Sequence, residues 1–289
     1  MSRALAAALI GVLLVPAAAQ AQSSMVLAQQ PDGGSKPLWE AGLFVGAAYL
    51  PDYPAASQGQ FRALPLPYVI YRGDILKIGD GGLIRAEKSL SDRLDFDIGL
   101  SGSFDSDSND NDARRGMPNL DLLLEAGPAV TYHLRDKRDP LQIDLSLEVR
   151  AVISAEFVSF GYEGIAVNPK IIFNYANVAD SGTTLYLSIG PTWGYDGMNE
   201  YFYDVAPAYA TPDRPAYKAD EGYVGTRVNI GAAYPLTERV RVFAGTQIGY
   251  FGGSSNEDSP LFRDRWTVGV GAGLTWSFWQ SEARVQNRD

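Results

Sequence analysis

Residues Trp266 to Phe278 read WTVGVGAGLTWSF, and this stretch decides the fold. Trp266, Val268, Val270, Ala272, Leu274, Trp276 and Phe278 share one parity, while Thr267, Gly269, Gly271, Gly273, Thr275 and Ser277 share the other. Successive side chains of a β-strand point to opposite faces, so the stretch predicts a strand apolar on one face and small or polar on the other. A tilted strand crosses the hydrocarbon of a bilayer in roughly 9–11 residues, and this one is long enough. Its apolar face begins and ends in aromatics, where the girdles of a transmembrane barrel lie. The expectation is the closing strand of an antiparallel transmembrane β-barrel.

The start of the chain agrees. Arg3 precedes an apolar run that ends in Ala19-Gln20-Ala21, the pattern of a cleaved secretory signal peptide over residues 1–21. No cysteine follows for lipidation, and the sequence has none at all, which excludes disulfides and thiolate chemistry. Residues 22–37, QSSMVLAQQPDGGSKP, read as a flexible periplasmic leader. No later run approaches the about 18 apolar residues of a helical span, so a closed barrel is the remaining way across a membrane. The net charge of -10, with no basic patch, argues against a nucleic-acid partner.

The same two-residue period recurs between residues 38 and 279, the expected barrel, with 280–289 left as a tail. Trp39, Ala41, Leu43, Val45, Ala47 and Tyr49 form one apolar face, and Leu64, Leu66, Tyr68 and Ile70 another. Pro65 and Pro67 mark the second as a weak strand, because proline cannot donate to a ladder. Later strands set apolar faces against Asp95 and Asp97, then Asp121 and Glu125, then Asp144, Glu148 and Arg150, then Lys170, Arg227, Arg239 and Arg241. With lipid outside, these charges face the lumen. Outer-membrane barrels alternate short periplasmic turns with long external loops. Connectors 105–119, 157–164, 197–222 and 251–264 are expected outside, and 88–92, 135–140, 176–182 and 235–238 inside. The clear strands number eleven if residues 75–88 form one. A barrel with both ends in the periplasm needs an even count. A turn at Gly79-Asp80-Gly81-Gly82 restores parity and gives twelve, with ten as the alternative.

Three blocks carry a family resemblance: Gly46-Ala47-Ala48-Tyr49-Leu50-Pro51-Asp52-Tyr53-Pro54 with Arg62-Ala63-Leu64-Pro65-Leu66-Pro67, then Tyr201-Phe202-Tyr203-Asp204-Val205 with Arg214-Pro215-Ala216-Tyr217, then Asp258-Ser259-Pro260-Leu261. In this order they resemble the MipA/OmpV family of Gram-negative outer-membrane proteins, the MltA-interacting proteins. The resemblance implies an outer-membrane barrel in contact with lipid and lipopolysaccharide. For the family's namesake it implies a scaffold joining a murein transglycosylase to a murein synthase. Other members look like pores or adhesins. Such barrels usually end on an aromatic read by the barrel-assembly machinery; here Trp276 and Phe278 are the candidates, and Trp279 to Asp289 follow them.

Candidate chemistry is sparse. His133, the single histidine, has no nucleophile motif beside it and reads as a polar rim residue. The lumenal acids and bases read as a salt-bridge plug, with a solute-selecting constriction as the rival. The acidic loop 105–112 lacks the glycine and terminal glutamate of a calcium loop, so no metal is expected there. Arg114 and Arg115 are candidates for lipopolysaccharide phosphates. Tyr201, Phe202, Tyr203, Tyr209 and Tyr217 make the longest external loop aromatic, either as a contact surface or as a lid folded into the barrel mouth. No catalytic residue and no cofactor are expected. The leading function is a scaffold for murein enzymes, followed by a small-solute pore and a loop-mediated adhesin.

Overall fold

The structure is a computed structural model that describes residues 36–73, 75–78, 84–156 and 159–285. The signal peptide, most of the leader and the turn at Gly79–Gly82 lie outside the described residues.

Twelve strands form one closed antiparallel barrel. In chain order they are β2 (Trp39–Pro51), β3 (Gly59–Arg72), β4 (Leu76–Ile78), β5 (Ile84–Ser91), β6 (Leu94–Ser103) and β7 (Leu122–His133). They continue as β8 (Leu141–Glu156), β9 (Ser159–Val178), β10 (Thr183–Tyr195), β11 (Gly222–Pro235), β12 (Val240–Tyr250) and β13 (Trp266–Gln280). Each pairs with the next, and β13 closes on β2 through the register Ala272↔Ala47 and Leu274↔Val45. The short β4 supplies the parity that the clear strands lacked. Beyond the barrel, β1 (Lys36–Pro37) pairs with β14 (Arg284–Val285) in a separate two-stranded ribbon.

The outer surface is built for lipid. At the end carrying the first and last described residues, the terminal end, Trp39, Tyr132, Tyr175, Tyr234, Trp276 and Phe278 are exposed. At the opposite, loop end the exposed aromatics are Tyr49, Phe61, Phe160, Tyr162, Tyr195, Tyr250 and Trp266. Leu147, Ile189, Ile230, Val268 and Val270 occupy the band between, also exposed. An aliphatic band between two aromatic girdles is the transmembrane signature, since aromatic rings with polar tips favour the membrane interface. A register shift between Ser277 and Trp279 turns both Phe278 and Trp279 outward.

Two expectations need correction. The apolar face of β3 is inverted: Leu66, Tyr68 and Ile70 turn inward, and Phe61 and Val69 face out. The inward set packs on Phe44 and Phe243, whose rings stack 5.4 Å apart inside the barrel. The connector expected at 157–164 is largely strand, because β9 begins at Ser159. Ser154 there donates to Glu163 across the pair at 2.6 Å, while Phe160 and Tyr162 face out.

The connectors at the loop end fold over the barrel mouth. A short helix, α1 (Met198–Tyr203), lies beneath them. Gly164, at φ +115 on β9, lets α1 settle on the wall, since a Cβ there would strike the backbone of Asp196 and Met198. Tyr53, Met117, Leu120, Phe202, Tyr203, Val205 and Leu261 form a buried core that reaches down to Leu123 and Val152 on β7 and β8.

Candidate functional site

The lumen is lined on one side by paired charge. At the terminal end, His133 Nδ1 lies 2.7 Å from Asp144 and Nε2 lies 2.9 Å from Asp95. An ionised carboxylate only accepts, so a ring facing two of them donates from both nitrogens and carries a positive charge. Lys137 reaches up from the β7–β8 turn to Asp95 at 2.8 Å, and Ser89 donates to the same carboxylate at 2.7 Å. His133 is therefore a clamp across β6, β7 and β8. His133→Ala leaves two mostly buried aspartates short of a donor and should cost on the order of 2–3 kcal/mol. The check is the temperature at which heat-modifiable gel migration is lost. An unchanged temperature would mean that the clamp is idle.

Higher in the lumen, Lys170 pairs with Glu148 at 2.6 Å. Arg150 is almost wholly buried and donates to the carbonyls of Gly99, at 3.0 Å, and Gly127. The sequence explains this local geometry. Pro128 has no N–H for the β7–β8 ladder, and the register runs from Ala126↔Ala151 directly to Ala129↔Glu148. The Arg150 guanidinium bridges the Gly99↔Gly127 pair of β6 and β7 beside the interrupted rung. Asp97 is buried close to Arg150 and Arg85. Arg227 lies 5.8 Å from the Phe251 ring and acts electrostatically on Glu125. Arg241 lies on the wall-facing parity of Phe243, toward the lumen.

Two expected lumenal charges lie elsewhere. Asp121 precedes β7, and its carbonyl accepts from Tyr201 at the base of the cap. Arg239 is exposed in the β11–β12 turn, where its carbonyl accepts from Ser277. In both cases the sequence alternation continues past the point where the strand begins. Sequence reasoning missed Lys77, Arg85 and Glu87, which join the same lumenal network: Lys77 and Arg85 both contact Glu87, at 2.8 and 3.0 Å. The signal was present in Ile84-Arg85-Ala86-Glu87, an alternating run too short to stand out.

The aromatic loop resolves as a lid. Tyr203 is fully buried and donates to Pro54 O at 3.0 Å, and Tyr201 donates to Asp121 O at 3.2 Å. Phe202 is buried between them. Tyr217 reaches Asn256 at 3.3 Å, while Tyr209 stays exposed. Burial pushes the Tyr53 hydroxyl up to about 12, and that hydroxyl donates to Leu261 O at 2.8 Å. Arg114 does not reach outward for phosphate. It is buried against the Tyr53 ring and donates to Ser108, Phe202 O and Pro118 O. Arg115 is exposed and paired with Asp112 at 2.6 Å. Within the acidic loop, Asp107 caps the turn at Asn109, and Asn111 donates to Asp52.

Glu257 pins the last loop. The Gly253 N–H donates to its carboxylate at 2.7 Å, Arg265 pairs with it, and together they hold it below the usual range. A carboxylate lowered by folding contributes stability above its unfolded value of about 4.5, which is lost as pH falls through the lower folded value. Protease resistance of this loop should therefore fall as pH drops below about 4.5. Glu257→Gln should show weaker resistance at neutral pH and no such drop. A wild-type loop equally resistant across that window would contradict this.

At the terminal end the tail folds back. Leu38 N–H donates to Ala283 O at 2.8 Å and Ser281 N–H to Trp39 O at 3.0 Å, leading into the β1–β14 ribbon. Trp276 and Phe278 sit edge to face on the lipid side just before it.

The family model described as MltA-interacting protein MipA matches residues 43–278, from Leu43, the fifth residue of β2, to the exposed Phe278. The chain belongs to the MipA family. With that membership and its lipid-facing girdles, it is an outer-membrane barrel. No curated protein matches it. Among solved structures the MipA-family chain is similar to a loop-deleted OmpT of Vibrio cholerae, at 10% identity over 83% of this chain and 98% of that one, TM-score 0.39. It is also similar to the outer membrane phospholipase A of Escherichia coli, at 11% identity over 83% and 93%, TM-score 0.31. The toluene transporter TodX of Pseudomonas putida is similar at 13% identity over 93% and 72%, TM-score 0.31.

Proposed function

We propose that this MipA-family barrel is a non-enzymatic scaffold, with its termini in the periplasm, that holds a murein transglycosylase and a murein synthase at the outer membrane. The family is named for an interaction with MltA. The observation that carries the reading to a surface is the ribbon of Lys36–Pro37 on Arg284–Val285. It ties the segment before β2 to the segment after β13, the two strands that close the barrel. The aromatics of the external connectors, by contrast, are mostly spent on the cap's own core. The lumenal ion pairs favour a scaffold over a pore.

The test is surface plasmon resonance with the folded barrel immobilised and a purified MltA-type transglycosylase as analyte. Removal of residues 281–289 should weaken binding at least tenfold while heat-modifiable migration persists. Removal of 207–216 from the external loop should leave it unchanged. Binding that survives the first deletion and fails with the second would overturn the scaffold reading and favour contact through the loops.

A further inference from the structure

The lipid-facing wall carries a single charge. Lys88, expected from the sequence in a connector, is the fifth residue of β5. Its rung runs Lys88↔Phe96, Phe96↔Val130 and Val130↔Leu147, and Val130 and Leu147 face lipid. Directly opposed residues of a sheet share a face, so Lys88 also points outward. Glu87, one residue back, turns inward to Lys77. The other outward positions of the twelve strands are uncharged among the described residues. A charge on that face costs most at the bilayer midplane and little at the interface. Lys88 stands one outward step above the rung of Leu94 and Tyr132, which belongs to the terminal girdle, and its flexible stem reaches that level.

The girdle is interrupted where Lys88 stands. On one side it holds Trp39 and Tyr71, paired on β2 and β3 with rings 4.3 Å apart, and on the other Tyr132 on β7. The strands between, β4, β5 and β6, contain no tyrosine or tryptophan. From β3 to β7 is four strand spacings, roughly 20 Å. Above Lys88 the next outward residue is Ala86, which pairs with Leu76 on one side and Ile98 on the other. All three are exposed, and the small alanine between two larger aliphatic side chains leaves a notch leading from Lys88 into the apolar band. Below Lys88 a bulge between Ser89 and Ser91 makes Leu90 the extra residue, and the turn that follows exposes Arg93. Among the described residues neither Lys88 nor Arg93 has an ion partner.

We propose that the outer wall at β4–β6 binds one anionic glycerophospholipid from the leaflet at the terminal end. Its phosphate accepts from Lys88 and Arg93, and an acyl chain lies in the Ala86 notch between Leu76 and Ile98. A lysine on the lipid face is tolerated where its ammonium meets the interface, and the counter-ion there is a headgroup phosphate. Two cations select an anionic head over a zwitterionic one, whose own ammonium competes for the phosphate. The gap in the girdle leaves room for the head, and the notch holds the chain.

The test is native mass spectrometry of the full mature protein, refolded in detergent and titrated with phosphatidylglycerol, with phosphatidylethanolamine of the same chains as comparison. The first phosphatidylglycerol should bind roughly tenfold tighter than the second, and than the first phosphatidylethanolamine. Lys88→Gln should remove that tight step and Lys88→Arg should keep it. Ala86→Phe, which fills the notch and leaves both cations in place, should weaken it roughly fivefold. Heat-modifiable migration checks that each variant is folded. Glycerol phosphate, a head without chains, should not displace the lipid. Equal steps for the two lipids, a tight step that survives unchanged in Lys88→Gln or in Ala86→Phe, or displacement by glycerol phosphate would overturn the proposal. None of these outcomes bears on transglycosylase binding.

Discussion

Tyr203→Ala should open the loop end of the barrel and leave the barrel itself standing. Tyr203 is fully buried at the centre of the cap core, and its hydroxyl holds the β2–β3 loop through Pro54 O. Replacing a buried aromatic by alanine costs about 3–5 kcal/mol, from lost burial and the cavity left behind. The cap is a satellite core of loops, so that cost is expected to fall on cap closure and not on the strand ladders. Limited proteolysis should cut within residues 196–221 far faster than in the wild type, while heat-modifiable migration is retained. Equal protease resistance would show that Tyr203 is not what closes the lid. Tyr203→Phe keeps the ring and loses one hydrogen bond, and should cost only about 1 kcal/mol.

Arg150→Leu should destabilise the barrel as a whole. The side chain holds the Gly99 and Gly127 carbonyls from inside the wall and lies 3.7 Å from Glu148. Removing one member of a buried ionic network costs about 3–5 kcal/mol, because the partners left behind remain desolvated. Arg150→Lys should recover only part of this, since one ammonium cannot both serve the two carbonyls, as Nη1 does, and reach toward Glu148, as Nη2 does. Urea unfolding in lipid vesicles measures both. A loss below about 1 kcal/mol for the leucine variant would mean that the Gly99 and Gly127 carbonyls do not need the guanidinium.

The barrel was legible because a transmembrane strand must alternate, and Trp266–Gln280 does so with aromatics at both ends. Parity then required the strand now seen at Leu76–Ile78, which its three residues would never have announced. Other features were hidden for physical reasons. In β3 both faces are apolar, since Leu66 and Tyr68 meet an interior ring cluster while Pro65 and Val69 meet lipid, and alternation between two apolar faces carries no sign. Gly161 and Gly164 made the start of β9 resemble a turn, although Phe160 and Tyr162 kept the period. Whether Tyr201, Phe202 and Tyr203 cover the barrel or meet a partner depends on contacts with Pro54, Asp121 and Leu261, far away in sequence. The Asp95–His133–Asp144 clamp lay in the lumenal face read from alternation, but its third arm, Lys137, comes from a turn whose reach no periodicity encodes.

The central claim is that the lumen is closed by its own ion pairs and roofed by the cap. Single-channel recording of the refolded mature protein in a planar bilayer tests this most directly. The expected result is a silent membrane from protein whose heat-modifiable migration confirms folding. Stable, salt-dependent conductance steps from the same preparation would contradict it and make Asp97, Glu148, Arg150 and Lys170 the lining of a pore.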